Sequence, residues 1–140
     1  MIVSLHVATG AAAGALAGSR LGAVGLGLLL HAAGDRMPHD DVASRPFEIA
    51  SGAASLLLLA AARGPLDPAV LGGIAASVPD VEHVLPLPRP DGRKLFPSHR
   101  VRGWHREGGV PAWAQLVAAG AILGALTAPG REAQSGRVGK

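Results

Sequence analysis

Six histidines and ten acidic residues stand in a chain of 140 that has no cysteine, and their grouping is what could do chemistry. His31 and Asp35 are spaced i, i+4 and share one helix face. His39 follows Pro38 and precedes Asp40 and Asp41; Val78-Pro79-Asp80-Val81-Glu82-His83 repeats the pattern of a proline followed by acids and a histidine. His99 lies in Phe96-Pro97-Ser98-His99-Arg100, and His105 follows Trp104. Imidazole and carboxylate are the ligands that zinc, manganese or iron accept, and the lack of thiols excludes a cysteine-ligated structural site. The expected metal ligands are His6, His31, Asp35, His39, Asp80 and His99, with zinc the first expectation and manganese or iron as alternatives. Glu48 and Glu82 are read as catalytic groups, each a general base or an additional ligand, and Glu82 or His83 also suits orienting a ligand. Each of these residues has a plainer use as well. His31 with Asp35 suits a helix-terminal pair, His39 a loop turn, and Glu48 a helix-start acid.

Positioning such a set requires helices. Five apolar runs cover Ile2 to Gly18, Leu21 to Ala33, Phe47 to Ala62, Pro68 to Val78 and Val110 to Ala128. Their interiors are Ala and Leu with few β-branched or aromatic residues, which favours helix over strand. Gly34 and Gly64 fall just past their runs, while Asp67-Pro68 and Gly109-Val110-Pro111 read as helix starts with proline in the first turn. The fold class expected is all-α, a short-helix bundle of about five helices. His6-Val7-Ala8-Thr9-Gly10 aligns with Glu48-Ile49-Ala50-Ser51-Gly52, and Met37-Pro38-His39 aligns with Val78-Pro79-Asp80. The bundle is therefore read as two repeated helical hairpins, about 5–42 and 47–84, with a polar loop at 79–109 and a last helix at 110–128. Residues 1–128 form one domain in this reading, and 129–140 form a flexible tail. Tight turns between consecutive helices make them antiparallel. That tracing brings all six histidines and most carboxylates to one end, leaving Arg20, Arg63, Asp67 and the tail at the other.

Charged residues make up only 16% of the chain against about 25% in ordinary soluble domains. Mean hydropathy is +0.32. Gly10, Gly14 and Gly18 repeat a small-xxx-small spacing, as do Gly120 and Gly124, and Trp104 and Trp113 flank the start of the last run. The first and last runs approach the roughly 20 residues that a membrane span needs. These features point to an integral, multi-pass protein of the cell membrane in contact with lipid, with a soluble helical bundle as the alternative. Met1 to Leu5 carries no Lys or Arg, unlike a signal peptide. Eight of the thirteen Lys and Arg, among them Arg89, Arg93, Lys94, Arg100, Arg102 and Arg106, fall at the histidine-bearing end. That bias places the polar end on the cytoplasmic side. It also supplies anion-binding groups, so Arg100, Arg102 and His105 are expected to contact substrate. A net charge of +3 is mild for a nucleic-acid binder, and no nucleic-acid partner is expected.

The order of His6, Val-Pro-Asp-Val-Glu-His at 78–83, Ser-His-Arg at 98–100 and Gly-Trp-His at 103–105 resembles the predicted membrane-bound metal-dependent hydrolases. His-Ala-Ala-Gly-Asp-Arg-Met-Pro-His at 31–39 is similar to a motif of relatives likened to zinc-dependent phospholipase C. Two positions depart from the family pattern: Glu82 stands where Asp is commoner, and Val101 and Arg102 separate His99-Arg100 from Gly103. The resemblance implies a reaction class without a substrate. The expected function is metal-dependent hydrolysis at a membrane, with activated water attacking a phosphoester or acyl bond of a small-molecule, anionic or lipid substrate. The alternative is a non-catalytic membrane protein whose polar end holds a structural metal or docks a partner.

Overall fold

A computed structural model describes residues 1–129, so the expected tail lies, but for its first residue, outside the described residues. The chain folds as α1 (Val3–Leu16), α2 (Arg20–Arg36), α3 (Arg45–Arg63), α4 (Pro68–Ser77), α5 (Pro97–Arg100) and α6 (Ala112–Thr127). Single 3-10 segments cover Val78–His83 and Pro90–Gly92. The all-α expectation holds, and no strand forms among the described residues. The helix beyond the five expected, α5, is a single turn inside the expected polar loop, and it carries His99.

Local chemistry accounts for the boundaries. Ser19 caps α2 by accepting from the Gly22 N–H, and Asp67 caps α4 by accepting from the Ala69 N–H, with Pro68 in the first turn. Gly64, at φ 89°, ends α3 as expected. Two glycines behave differently from expectation. Gly18, at φ 64°, turns the chain between α1 and α2 and is no part of a helical stripe. Gly34 lies inside α2, which runs on to Arg36; a Cβ there would meet the His6 ring and the Met1 side chain, so its smallness makes room for His6.

The two helix–turn–helix units pack unequally. α4 lies against both α1 and α2, while α3 is set mainly against α1, and α6 packs on α1 and α3. Close approach is what the small residues provide: a Cβ on Gly10 of α1 or on Gly27 of α2 would run into the Gly72 carbonyl of α4. The buried core gathers Val7, Ala8, Ala11, Leu59, Val70 and Leu123. Gly120 and Gly124, the other expected stripe, meet nothing within 4 Å.

α3 is the one described helix long and apolar enough to cross a membrane, with 19 residues and a mean hydropathy of 1.2 in its best window. The first and last runs yield helices of only 14 and 16 residues. Much apolar surface nevertheless faces outward, as at Leu57, 71% exposed, and Leu29, 67% exposed.

Three contacts fold the segment after α4 back over the polar end. The Leu95 N–H donates to Glu82, and the Trp104 indole N–H donates to the Ala32 carbonyl of α2. Residues 38–40 exchange backbone hydrogen bonds with 106–110. Trp104, with the Arg36 guanidinium over its ring, thus pins this loop. Gln115 of α6 is buried; it accepts from the Ile2 N–H and donates to the Asp40 and Val110 carbonyls, tying three segments together.

Candidate metal centre

Asp35, 1% exposed near the end of α2, is the hub of the polar end. His31, one turn earlier on the same face, brings Nε2 to 3.0 Å from Asp35 Oδ2. α1 supplies His6, whose Nε2 is 3.1 Å from Oδ1. The folded-back loop adds His99 and His105, with Nε2 atoms 3.4 and 3.3 Å from Oδ2. Asp80, at the start of the 3-10 segment after α4, reaches in from the far side: Oδ1 lies 3.7 Å from His99 Nε2 and Oδ2 lies 4.0 Å from His6 Nε2.

Three of the rings are held by their other nitrogen. The Nδ1 of His31 donates to the Ala76 carbonyl at 2.9 Å, and that of His39 to the Met37 carbonyl at 2.6 Å. The Nδ1 of His99 donates to Glu82 Oε1 at 2.5 Å. Because a carbonyl or carboxylate oxygen can only accept, the proton belongs on Nδ1, and in the neutral ring Nε2 is left with a lone pair. The Nε2 atoms of His31 and His99 face each other at 3.4 Å with Asp35 Oδ2 beside both. Three acceptors turned toward one point in a buried space repel unless a positive charge stands among them. Asp35 Oδ2 and Asp80 Oδ2 are, moreover, buried without a hydrogen-bond partner among the described residues. These are the marks of a cation site, and the Nδ1 anchors are the outer partners that orient metal-binding imidazoles. Four groups of His and Asp bring their ligand atoms within 4.8 Å of one another: His6–His31–Asp80, His31–Asp35–His99, Asp80–His83–His99 and His39–Asp41–His105.

The electrostatics of the loop-borne groups follow from these contacts. Burial pushes the Asp80 carboxyl up to about 6, against the pull of nearby His31 and His99. Burial opposes charge on His99, but the Asp35 and Glu82 carboxylates outweigh it and hold the ring above its ordinary value. Burial, with His99 and Lys94 nearby, pushes His83 down to about 4. Burial works against the charge of Glu82 too; the Leu95 N–H and His99 overcome it and hold this carboxyl below its ordinary range.

No protein-family model, curated protein or solved structure matches the chain. The site is therefore read from its own residues. Of the expected ligands, His6, His31, Asp35, Asp80 and His99 converge. His39 lies at the rim, where its Nε2 is 3.3 Å from Asp41 Oδ1 and touches the Met1 amino nitrogen. His105, expected as a substrate contact, reaches Asp35 itself. Glu82 stands behind His99 with both oxygens engaged. Glu48 accepts from the Val3 N–H at 2.8 Å and belongs to none of the four ligand groups. Arg100 and Arg102 are exposed and line neither cavity beside the cluster.

Asp41 is an addition from the structure, and His83, expected as a group that orients a ligand, falls within ligand distance itself. The spacing of His39 and Asp41, which puts both on one side of an extended strand, was the signal for the first. Two cavities open onto the cluster. One, of 600 Å³, is polar and touches His83, Lys94, His99 and His105. The other, of 530 Å³, runs from Asp80, His83 and His105 along α3.

Proposed function

We propose that this chain is a multi-pass membrane protein whose polar end is a metal-dependent hydrolytic centre, of the kind its motifs resemble. The observation that carries this reading is the convergence of the His31 and His99 Nε2 lone pairs on the unpartnered buried oxygen of Asp35. His6, His31, Asp35, Asp80 and His99 would hold the ion, and their nitrogen and oxygen donors suit zinc, with manganese or iron also accommodated. Such a cation supplies Lewis-acid polarisation of a phosphoryl or acyl oxygen and activation of water near neutral pH.

The protein's own residues supply the rest. Glu82 is a positioning residue that fixes the His99 tautomer and aims Nε2 inward. Asp80 borders the cavity along α3 and His105 borders both cavities, where a reacting group has access to the cluster. Lys94, whose Nζ is 3.2 Å from His83 Nδ1, places a positive charge at the polar cavity, which Asp41 and Glu107 also line. Those two cavities favour catalysis over a structural metal, since a closed site needs no adjoining space.

The membrane reading is supported by α3 and by the outward apolar faces of α2, α3 and α6, a larger apolar surface than water favours. The cationic bias of the polar end favours the cytoplasmic side. Metal analysis of the full chain purified in detergent tests the centre: stoichiometric zinc, manganese or iron is expected, lost in His31→Ala, together with metal-dependent cleavage of an aryl phosphate or aryl ester. Metal content unchanged by His31→Ala, or a chain that purifies without detergent, overturns the respective half of the proposal.

A further inference from the structure

The cavity along α3 has two chemically different ends. Its walls are Ile49, Ala53 and Leu56 on α3 and Val81, Val84 and Leu85 on the segment after α4. The three α3 residues are spaced i, i+4, i+7 and form one helical face. Among the described residues no side chain fills the gap between the walls, and Ile49, Val84 and Leu85 are 45%, 44% and 50% exposed. Water is a poor occupant of so apolar a space. At its other end the groove reaches Asp80, His83 and His105 of the metal cluster, and Arg45, Asp41 and Glu48 line it as well, so the charge of an anionic group there is met by a bound cation and Arg45 rather than by a uniformly positive wall. A volume of 530 Å³ lies within the range of about 300–1,000 Å³ that small-molecule sites occupy.

From this juxtaposition we infer that the groove between α3 and residues 81–85 takes the hydrocarbon chain of an amphiphile whose anionic head lies at the histidine–aspartate cluster. This rests on the metal reading of that cluster and narrows the substrate class to a lipid-like molecule. The helix forming one wall is the one apolar enough to cross a membrane, so a chain can enter from the hydrocarbon without passing through water. The head then meets the loaded cluster and Arg45, while Ala53, exposed on the groove floor, sets how far the chain extends.

The test uses the full chain, zinc-loaded, in phosphatidylcholine nanodiscs, with a hexadecylphosphonate bearing a photoreactive diazirine at mid-chain. A phosphonate has no ester to cleave, so labelling is independent of turnover. Labels are expected at Ile49, Leu56, Val81 and Leu85, and Ala53→Trp is expected to lower them about tenfold, the effect of excluding roughly two methylenes, with metal content unchanged. Labels spread equally over Leu29 of α2 and Val117 of α6, which face outward away from the groove, or labelling indifferent to Ala53→Trp, overturn the inference. The two readings fail separately. Groove labelling without hydrolysis of any ester rejects the hydrolase alone, and metal-dependent hydrolysis without groove labelling rejects the groove alone.

Discussion

Glu82 holds His99 from behind: its Oε1 takes the Nδ1 proton while its Oε2 takes the Leu95 N–H. A side chain thirteen residues before Leu95 thereby shapes the loop and aims a ring nitrogen at Asp35. One carboxylate does both, so its removal separates the protein's folding from its metal affinity only in part.

Glu82→Gln keeps an acceptor for the His99 Nδ1–H but removes the charge. Loss of such an outer partner costs about 10–100-fold in metal affinity. Glu82→Gln is expected to stay within that range, its amide nitrogen facing the Leu95 N–H without accepting from it, and Glu82→Ala to exceed it because the His99 Nδ1–H loses its acceptor as well. Competition against a chelator of known affinity reads both. Equal affinity in wild type and Glu82→Ala would show that His99 needs no such support.

Gly72 is where three helices come closest. A Cβ added there would press on the Gly10 backbone, whereas one added at Gly120 meets nothing within 4 Å. Gly72→Val is expected to destabilise by about 1–3 kcal/mol or more through overpacking. Gly120→Ala is expected to leave stability unchanged or slightly raised, since alanine is the better helix former. Thermal unfolding in one detergent compares them; equal effects would contradict the packing of α4 between α1 and α2.

The histidine cluster was legible in the sequence because antiparallel tracing needs only helix boundaries and turn lengths. Helix type was legible for the same reason, from the Ala and Leu runs and the Asp67-Pro68 and Gly64 signals. What periodicity could not show was the path of residues 84–109, which have few apolar positions and are held by side-chain bonds to Glu82 and Ala32. That path decides that His105 joins Asp35 while Arg100 and Arg102 turn to solvent. Gly34 illustrates a second limit. A glycine near the end of a run reads as a stop signal, yet here it is spared a side chain to admit a ring from another helix.

The raised Asp80 carboxyl gives a pH dependence of definite sign. It is faced by His6 from α1, by His31 and Asp35 from α2, and by His99 from the loop. Its value of about 6 in the fold exceeds the ordinary 3.8, so between these limits this carboxyl holds a proton in the native metal-free protein that it releases in the unfolded chain. That contribution to stability is complete below pH about 4 and is lost as pH rises through about 6. His99, also raised, extends the loss above its ordinary 6.5. A cation must displace these same protons, so metal affinity is expected to rise with pH over the same window. In Asp80→Asn the metal-free protein should lose the lower part of this dependence. Denaturant unfolding of wild type and Asp80→Asn at pH 4, 6 and 8 in chelator measures it; a stability difference, wild type minus Asp80→Asn, that does not fall from pH 4 to 6 would contradict the assignment.

The hub and the rim should separate in a metal titration. Asp35 is 1% exposed and takes four imidazole nitrogens within 3.4 Å, while the Asp41 side chain is 62% exposed and faces His39 alone among the site histidines with an ion-pair distance. Removing the charge of Asp35 leaves the converging nitrogens without the carboxylate that all four approach, and an amide nitrogen in its place adds a donor where a cation would lie. Asp35→Asn is therefore expected to abolish metal binding. Asp41→Asn removes one solvent-screened charge and is expected to change affinity by less than about fivefold, in line with the roughly 0–1 kcal/mol of an exposed pair. Metal content after dialysis against a fixed free-zinc buffer distinguishes them. If Asp41→Asn loses metal while Asp35→Asn keeps it, the centre lies at the His39 rim and not around Asp35.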